Sequence, residues 1–410
     1  MFTPPHHLTS RSAFAIGLCL QFLSTANAQN FTTLVADLQP LSLIGMTSSA
    51  GSMVGLDQGL KGGFSFGLGV KSSYDSNFLL DENATEDEWE ADLLPQIRYF
   101  TDPEGGAPIA VSADYSPSYR SYLNHSALDG FDQSGGVTMK IEGSKTRITA
   151  YAKYSEVAGT DRLIGQFVNA SILSAGLQAS YQVAPKTSIS SSLTASQSDY
   201  SSSSVVGSEI YTAQVGGFWA ATERFSFGPS IRYSMTKSDL TGDRDAWALL
   251  MQARYQVGER IAVSGSLGAE ATKNSRDSGN DAVKMTGDLT ANYTINELWA
   301  WRNSVRYVTV PSPTTVNYVV NNLMISSELN RQFLKATAGL GMELNVSDYT
   351  GVGTVTETPL AEDNYSVFLS YHRTIFTERL AMDSRVRYTV NNGSTDWDQF
   401  LVTLGLNLEF

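Results

Sequence analysis

From about Gly62 to Phe410 the chain alternates apolar and polar residues with period two, the signature of a strand whose two faces meet different surroundings. Ile261, Val263, Gly265, Leu267 and Ala269 share one face, while Ala262, Ser264, Ser266, Gly268 and Glu270 share the other. Val283, Met285, Leu289, Ala291 and Tyr293 oppose Lys284, Thr286, Asp288, Thr290 and Asn292. Leu380, Met382, Val386, Tyr388 and Val390 oppose Asp383, Arg385, Arg387 and Thr389. Strands of soluble proteins run about 5–6 residues. Here the alternation persists for roughly 10–12, close to what a tilted strand needs to cross a bilayer. That length predicts membrane-spanning strands.

The connections alternate as well. Short ones fall at 102–106, 143–145, 184–186, 222–223, 258–259, 296–297, 330–331 and 377–378. Three of these repeat a pattern: Thr222-Glu223-Arg224, Gly258-Glu259-Arg260 and Thr377-Glu378-Arg379. Longer polar connections lie between them, at 79–92, 122–130, 156–166, 199–208, 237–245, 273–281, 311–317, 346–363 and 391–398. Short turns at one end and long loops at the other predict an all-β, antiparallel up-and-down transmembrane barrel. Eight short and nine long connections imply 18 strands, with both chain ends on the short-turn, periplasmic side. Alternation blurs over 166–183 and 315–329, so 16 strands also fit.

The closing strand carries the sharpest alternation. Phe400, Val402, Leu404, Leu406, Leu408 and Phe410 share one face, and Phe410 ends the chain. A last strand of this kind resembles the sorting signal read by the outer-membrane assembly machinery, so Phe410 is the candidate assembly residue. Interfacial aromatic girdles would take Trp299 and Trp301 on the short-turn side. On the loop side they would take Tyr233, Trp247, Tyr307 and Tyr388.

Composition narrows the classes. Only 17% of residues are charged and the formal net charge is −13. An acidic chain repels phosphate, which argues against nucleic-acid partners. No stretch beyond the leader approaches the ~20 apolar residues of a spanning helix. At the N-terminus, Arg11, the apolar run 13–22 and Ala26-Asn27-Ala28 have the layout of a signal peptide cleaved after Ala28. Cleavage would remove Cys19, the sole cysteine, and with it any disulfide or thiolate metal site. Residues 29–61 do not alternate and are expected to be a periplasmic or interior segment before a barrel over 62–410.

The first strand and its loop, Gly67-Leu68-Gly69-Val70-Lys71-Ser72-Ser73-Tyr74-Asp75-Ser76-Asn77-Phe78, are followed by acidic residues and Leu94-Pro95. This arrangement resembles the β-barrel porin 2 family. The resemblance implies an outer-membrane barrel with a pore or export role, since several members accompany exopolysaccharide operons.

Candidate chemistry is sparse. A two-residue turn at 377–378 places His372 opposite Asp383 on the inner face. A carboxylate can orient a catalytic imidazole, but no serine motif accompanies the pair, so an ion pair in the wall is the expected role and no enzyme is expected. His125 is expected in a solvated loop. The carboxylates Asp81, Glu82, Glu86, Asp87, Glu88, Glu90 and Asp92 lack the ordered spacing of a Ca²⁺ loop and are expected to be solvated. No cofactor or metal is implied. Inward charges are mixed: Arg98, Arg120, Arg147, Arg232, Arg254, Arg302, Arg306, Arg385 and Arg387 against Asp114, Glu142, Glu270, Asp288, Glu343 and Asp383. Of these, Arg232, Arg254, Arg302, Arg306, Asp383, Arg385 and Arg387 are the lumen-lining candidates. Charged linings select permeants. The expected role is a passive outer-membrane channel for small polar solutes, the alternative a barrel for polysaccharide export or surface binding. Expected partners are outer-membrane lipid, the assembly machinery and the permeant.

Overall fold

A computed structural model describes residues 63–81, 85–101, 108–161, 166–201, 207–238, 242–275, 277–311, 318–351, 361–375, 379–393 and 396–410. The expected leader, residues 1–28, and residues 29–62 lie outside the described residues.

The first six strands are β1 (Gly63–Asp75), β2 (Glu88–Phe100), β3 (Ile109–Tyr122), β4 (Gly130–Glu142), β5 (Thr146–Asp161) and β6 (Gln166–Ala184). The next six are β7 (Thr187–Tyr200), β8 (Ser208–Ala220), β9 (Phe225–Ser238), β10 (Arg244–Val257), β11 (Ile261–Asn274) and β12 (Asp277–Asn296). The last six are β13 (Trp299–Pro311), β14 (Tyr318–Gln332), β15 (Ala336–Gly351), β16 (Ala361–Ile375), β17 (Leu380–Asn392) and β18 (Trp397–Glu409). Every strand pairs antiparallel with its chain neighbours, and β18 pairs with β1, so one 18-stranded sheet closes on itself. The expected count of 18 is the observed one. Closure removes every sheet edge, which a bilayer requires because its core offers no water to free N–H and C=O groups.

The wall is inside out relative to a soluble protein. On β1, Phe64, Phe66, Leu68 and Val70 are exposed on the outside, while Ser65 and Ser73 are buried against the interior. On β10, Trp247, Leu249 and Met251 are outside, and Arg244, Ala246, Ala248 and Leu250 are inside. The apolar face meets lipid and the polar face meets water, which is the physical cause of the period-two pattern. Rings gather at both rims of the band. Phe225–Tyr255 and Trp219–Phe227 pack at the short-turn end, with the Arg331 guanidinium 5.2 Å from the Trp299 ring. Tyr233–Trp247 and Tyr74–Trp89 pack at the loop end.

One seam differs from the rest. The β2–β3 ladder pairs Leu93 with Tyr119 and Ile97 with Tyr115, but it is interrupted between these pairs. That register brings Pro95 face to face with Pro117. Pairing of Pro95 with β1 and of Pro117 with β4 is unbroken. Each missing N–H therefore faces the other proline, and two ladder bonds are absent at one place.

Candidate functional site

The loop after β1 folds into the barrel mouth. Asn77 organises it: its side chain donates to the carbonyls of Asp81 and Asp398, each at 3.0 Å, and accepts from Asp81 N–H at 3.0 Å. Phe78 N–H donates to Glu86 O, and Thr160 Oγ1 donates to Phe78 O at 2.6 Å. These bonds carry Phe78 and Leu80 inward, to 7% and 5% exposure. Leu80 is held at φ 55, a left-handed conformation costing a side-chain-bearing residue about 1–2 kcal/mol. The Phe78 ring packs against Tyr122, His125 and Phe167 at centroid distances of 5.1, 5.2 and 5.8 Å.

His125, expected in a solvated loop, is instead clamped. Its Nδ1 lies 2.5 Å from Glu88 and its Nε2 lies 2.9 Å from Glu86. The hydrogen bond to Glu88, reinforced by Glu86, raises the imidazole pKa above its ordinary value. Glu88 itself is 1% exposed and accepts the backbone N–H groups of Trp89, Leu123, Asn124 and His125, each at 2.9 Å.

The acidic run needs the same correction. Glu88, Glu90 and Asp92 belong to β2 rather than to a solvated loop, alternating with Trp89, Ala91 and Leu93. Lys71 Nζ lies 2.5 Å from Asp92 and 3.1 Å from Glu90. Arg120 approaches the same carboxylates at 3.7 and 3.6 Å, pairs with Asp132, and donates to Ala158 O and Tyr122 Oη. The network holding these charges in the inner wall thus spans five consecutive strands, β1 to β5.

The predicted arginines fall into separate groups. Arg232 and Arg244 share Glu270 at 2.9 and 2.8 Å. Arg244, missed at the sequence level because it follows a loop, also donates to Thr309 O at 2.9 Å. Arg254 lies 4.0 Å over the Phe218 ring. Arg302 donates to Asn292 near the short-turn end, and Arg306 stands opposite Asp288. Arg385 and Arg387 lie over the Phe368 ring at 4.2 and 5.5 Å and approach Glu343 at 4.0 and 2.9 Å. Gly341 permits this stack, since a Cβ there would meet the Phe368 ring at 2.2 Å. Asp383 bonds His372 Nδ1 at 2.6 Å and accepts from Asn407 at 2.8 Å.

A cavity of about 510 Å³ is lined by Arg306 and Arg387 but by none of Arg232, Arg254, Arg302, Asp383 and Arg385. Lys71, Asp75 and Glu90 border it on one side, Arg306, Glu343 and Arg387 on another, and Phe78 and Tyr122 cap it. Among the described residues no group of three His, Cys, Asp or Glu side chains could hold a metal ion.

A closed barrel with an apolar outer band, aromatic rims and a charged, water-sized interior is a transmembrane barrel of the outer-membrane type. No family model matches the chain, and no curated protein matches it. Among solved structures it is similar to the outer-membrane protein opdK from Pseudomonas aeruginosa, at 12% identity and TM-score 0.48, over 85% of this chain and 99% of that one. It is similar to OccAB4 of Acinetobacter baumannii at 10% identity and TM-score 0.44, over 85% and 99%. The siderophore receptor PirA from Pseudomonas aeruginosa matches at 8% identity and TM-score 0.43, over 85% and 81%.

Proposed function

We propose that the protein is a passive outer-membrane channel for small polar solutes. The observation that carries this reading is the charged inner wall enclosing a cavity of about 510 Å³ inside a barrel whose outer face is apolar. A barrel of about 16–18 strands has room for an aqueous lumen, and hydrated side chains on that lumen replace the water a polar solute sheds. Arg306 and Arg387 would set the field that a permeant meets in the cavity, with Arg232, Arg254, Arg302 and Arg385 elsewhere on the inner wall, while the inward loop around Phe78 narrows the path. His372 and Asp383 act in this reading as a wall ion pair rather than as a catalytic couple. We assign the chain to the β-barrel porin 2 family on the Tyr74-Asp75-Ser76-Asn77 motif; in this fold Asp75 and Asn77 order the loop that enters the mouth. Planar-bilayer conductance of the refolded protein tests the reading. Discrete, salt-dependent steps are expected, and a bilayer that stays silent at high protein-to-lipid ratio overturns it.

A further inference from the structure

The outer face of the barrel is uncharged almost all the way round its short-turn end. On β1 the two outward positions nearest that end are Phe64 and Phe66, and on β10 they are Tyr255 and Val257. The corresponding pair is uncharged on every strand except β14 and β16. Those two strands place Arg331 and Arg373 there, both exposed. The register fixes their side. Arg331 follows Leu329, which stands opposite the lipid-facing Leu340, and Arg373 has the parity of the lipid-facing Val367 and Leu369.

The two arginines flank one strand. Arg331 stands opposite Ala338 on β15, and Ala336, the next residue on the same face, stands opposite Arg373. Adjacent strands lie about 4.7–4.9 Å apart, so β14 and β16 are about 10 Å apart with only alanine between the arginines. Alanine ends at Cβ, which leaves a shallow notch. Its border is aromatic. The Arg331 guanidinium lies 5.2 Å from the Trp299 ring and 4.8 Å from the Phe333 ring, and Tyr371 stands opposite Ala338. A ring contact neutralises no charge, and neither arginine makes an ion pair among the described residues.

A lone arginine at a membrane interface costs little, because its long stem carries the charge out to water. Two that flank the same pair of alanines, on a rim uncharged elsewhere, make a concave surface with two positive charges at head-group depth. Guanidinium groups take phosphate through paired N–H donors, and basic pockets at membrane surfaces take lipid head groups. We propose that the notch between Arg331 and Arg373 is a binding site for the phosphate of an anionic phospholipid in the leaflet on the short-turn side. A head group with its own ammonium brings that cation against the second arginine, so a lipid of net negative charge is favoured over a zwitterionic one. The acyl chains lie along the apolar outer face of β15 and β16, over Leu340, Val367 and Leu369. This site does not depend on an open pore.

The test is native mass spectrometry of the refolded full-length protein in non-ionic detergent, with dioleoylphosphatidylglycerol and dioleoylphosphatidylcholine supplied in equal amounts. One additional charge-assisted contact should make the barrel retain phosphatidylglycerol about tenfold more tightly. Arg331→Gln and Arg373→Gln should each remove part of that preference and together bring the ratio close to one, in variants whose heat-modifiable mobility shows a folded barrel. Lys186→Gln, which removes an exposed cation from another short turn, should leave the ratio unchanged. Equal retention of both lipids by the unaltered protein overturns the site, as does a preference that survives the double substitution or is lost with Lys186→Gln. Pairs of barrels that come apart in the double variant would show that a second copy covers this face, and would overturn the lipid assignment.

Discussion

Glu88→Gln should release the loop that follows β3. Glu88 Oε1 accepts three backbone N–H groups, from Trp89, Leu123 and Asn124, and Oε2 accepts His125 N–H and the imidazole. An amide retains one acceptor oxygen, so either orientation of glutamine turns an NH₂ toward at least two donors. The side chain is 1% exposed, leaving no water to take over. Each orphaned donor costs about 1–3 kcal/mol, which puts the local destabilisation at about 2–6 kcal/mol. The clamp also gives a signed pH dependence. His125 has a raised pKa in the folded state, so its contribution is fully present below the unfolded value near 6.5 and is lost as pH rises through the folded value. His125 and His372 are the only histidines after residue 28, so a chain starting at Gln29 with His372→Gln gives a single imidazole to follow by NMR. Its pKa should exceed 6.5 in that background and fall toward 6.5 with Glu88→Gln added. A value at or below 6.5, or one indifferent to Glu88, refutes the clamp.

Arg306→Glu should leave folding nearly intact and shift the reversal potential toward cations. Val305→Arg puts a charge on the lipid face beside Leu289 and Ile325 and should destabilise the barrel by roughly 2–4 kcal/mol near the midplane, read as a lower folding yield; the opposite outcome would mean the inside–outside assignment of β13 is shifted by one residue. Deleting Phe410 removes only the N–H to Phe66 O and the bond back from Phe66, at 2.7 and 3.4 Å, so refolding in vitro should survive while heat-modifiable barrel yield in cells drops sharply. Replacing Pro95 and Pro117 together by Val should restore two ladder bonds and raise the unfolding free energy by about 1–3 kcal/mol, read from urea melts in detergent; no gain would show that the seam is already satisfied. Edman sequencing of the mature protein should begin at Gln29.

The architecture was legible because two solvents impose it. Lipid outside and water inside make Leu380, Met382, Val386 and Tyr388 differ from Asp383, Arg385 and Arg387 at every step, and short turns set the register that puts His372 opposite Asp383. Polarity alone does not say which water a residue meets, however. Glu88, Glu90 and Asp92 read as one end of a solvated loop because the acidic run begins in one, yet they belong to the lumen. Trp89, Ala91 and Leu93 already alternate with them, and that was the signal that β2 starts early. Their partners Lys71 and Arg120 come from β1 and β3, so the ion pairs follow from register and not from local spacing. The clamp on His125 was less accessible still. It depends on the bend after β3, Leu123 to His125, whose backbone lays three consecutive N–H groups on a carboxylate from the neighbouring strand, and no periodicity encodes that. Phe78 and Leu80 show the same limit from the apolar side. Apolar residues in a polar loop mark burial without saying where, and only the bonds made by Asn77 and Thr160 show that they are buried in the barrel mouth. The residues that periodicity could not place, Asp75, Phe78, Glu88 and Glu90, all border the cavity, because the loop that folds into the barrel mouth breaks the plain lipid-and-water alternation there.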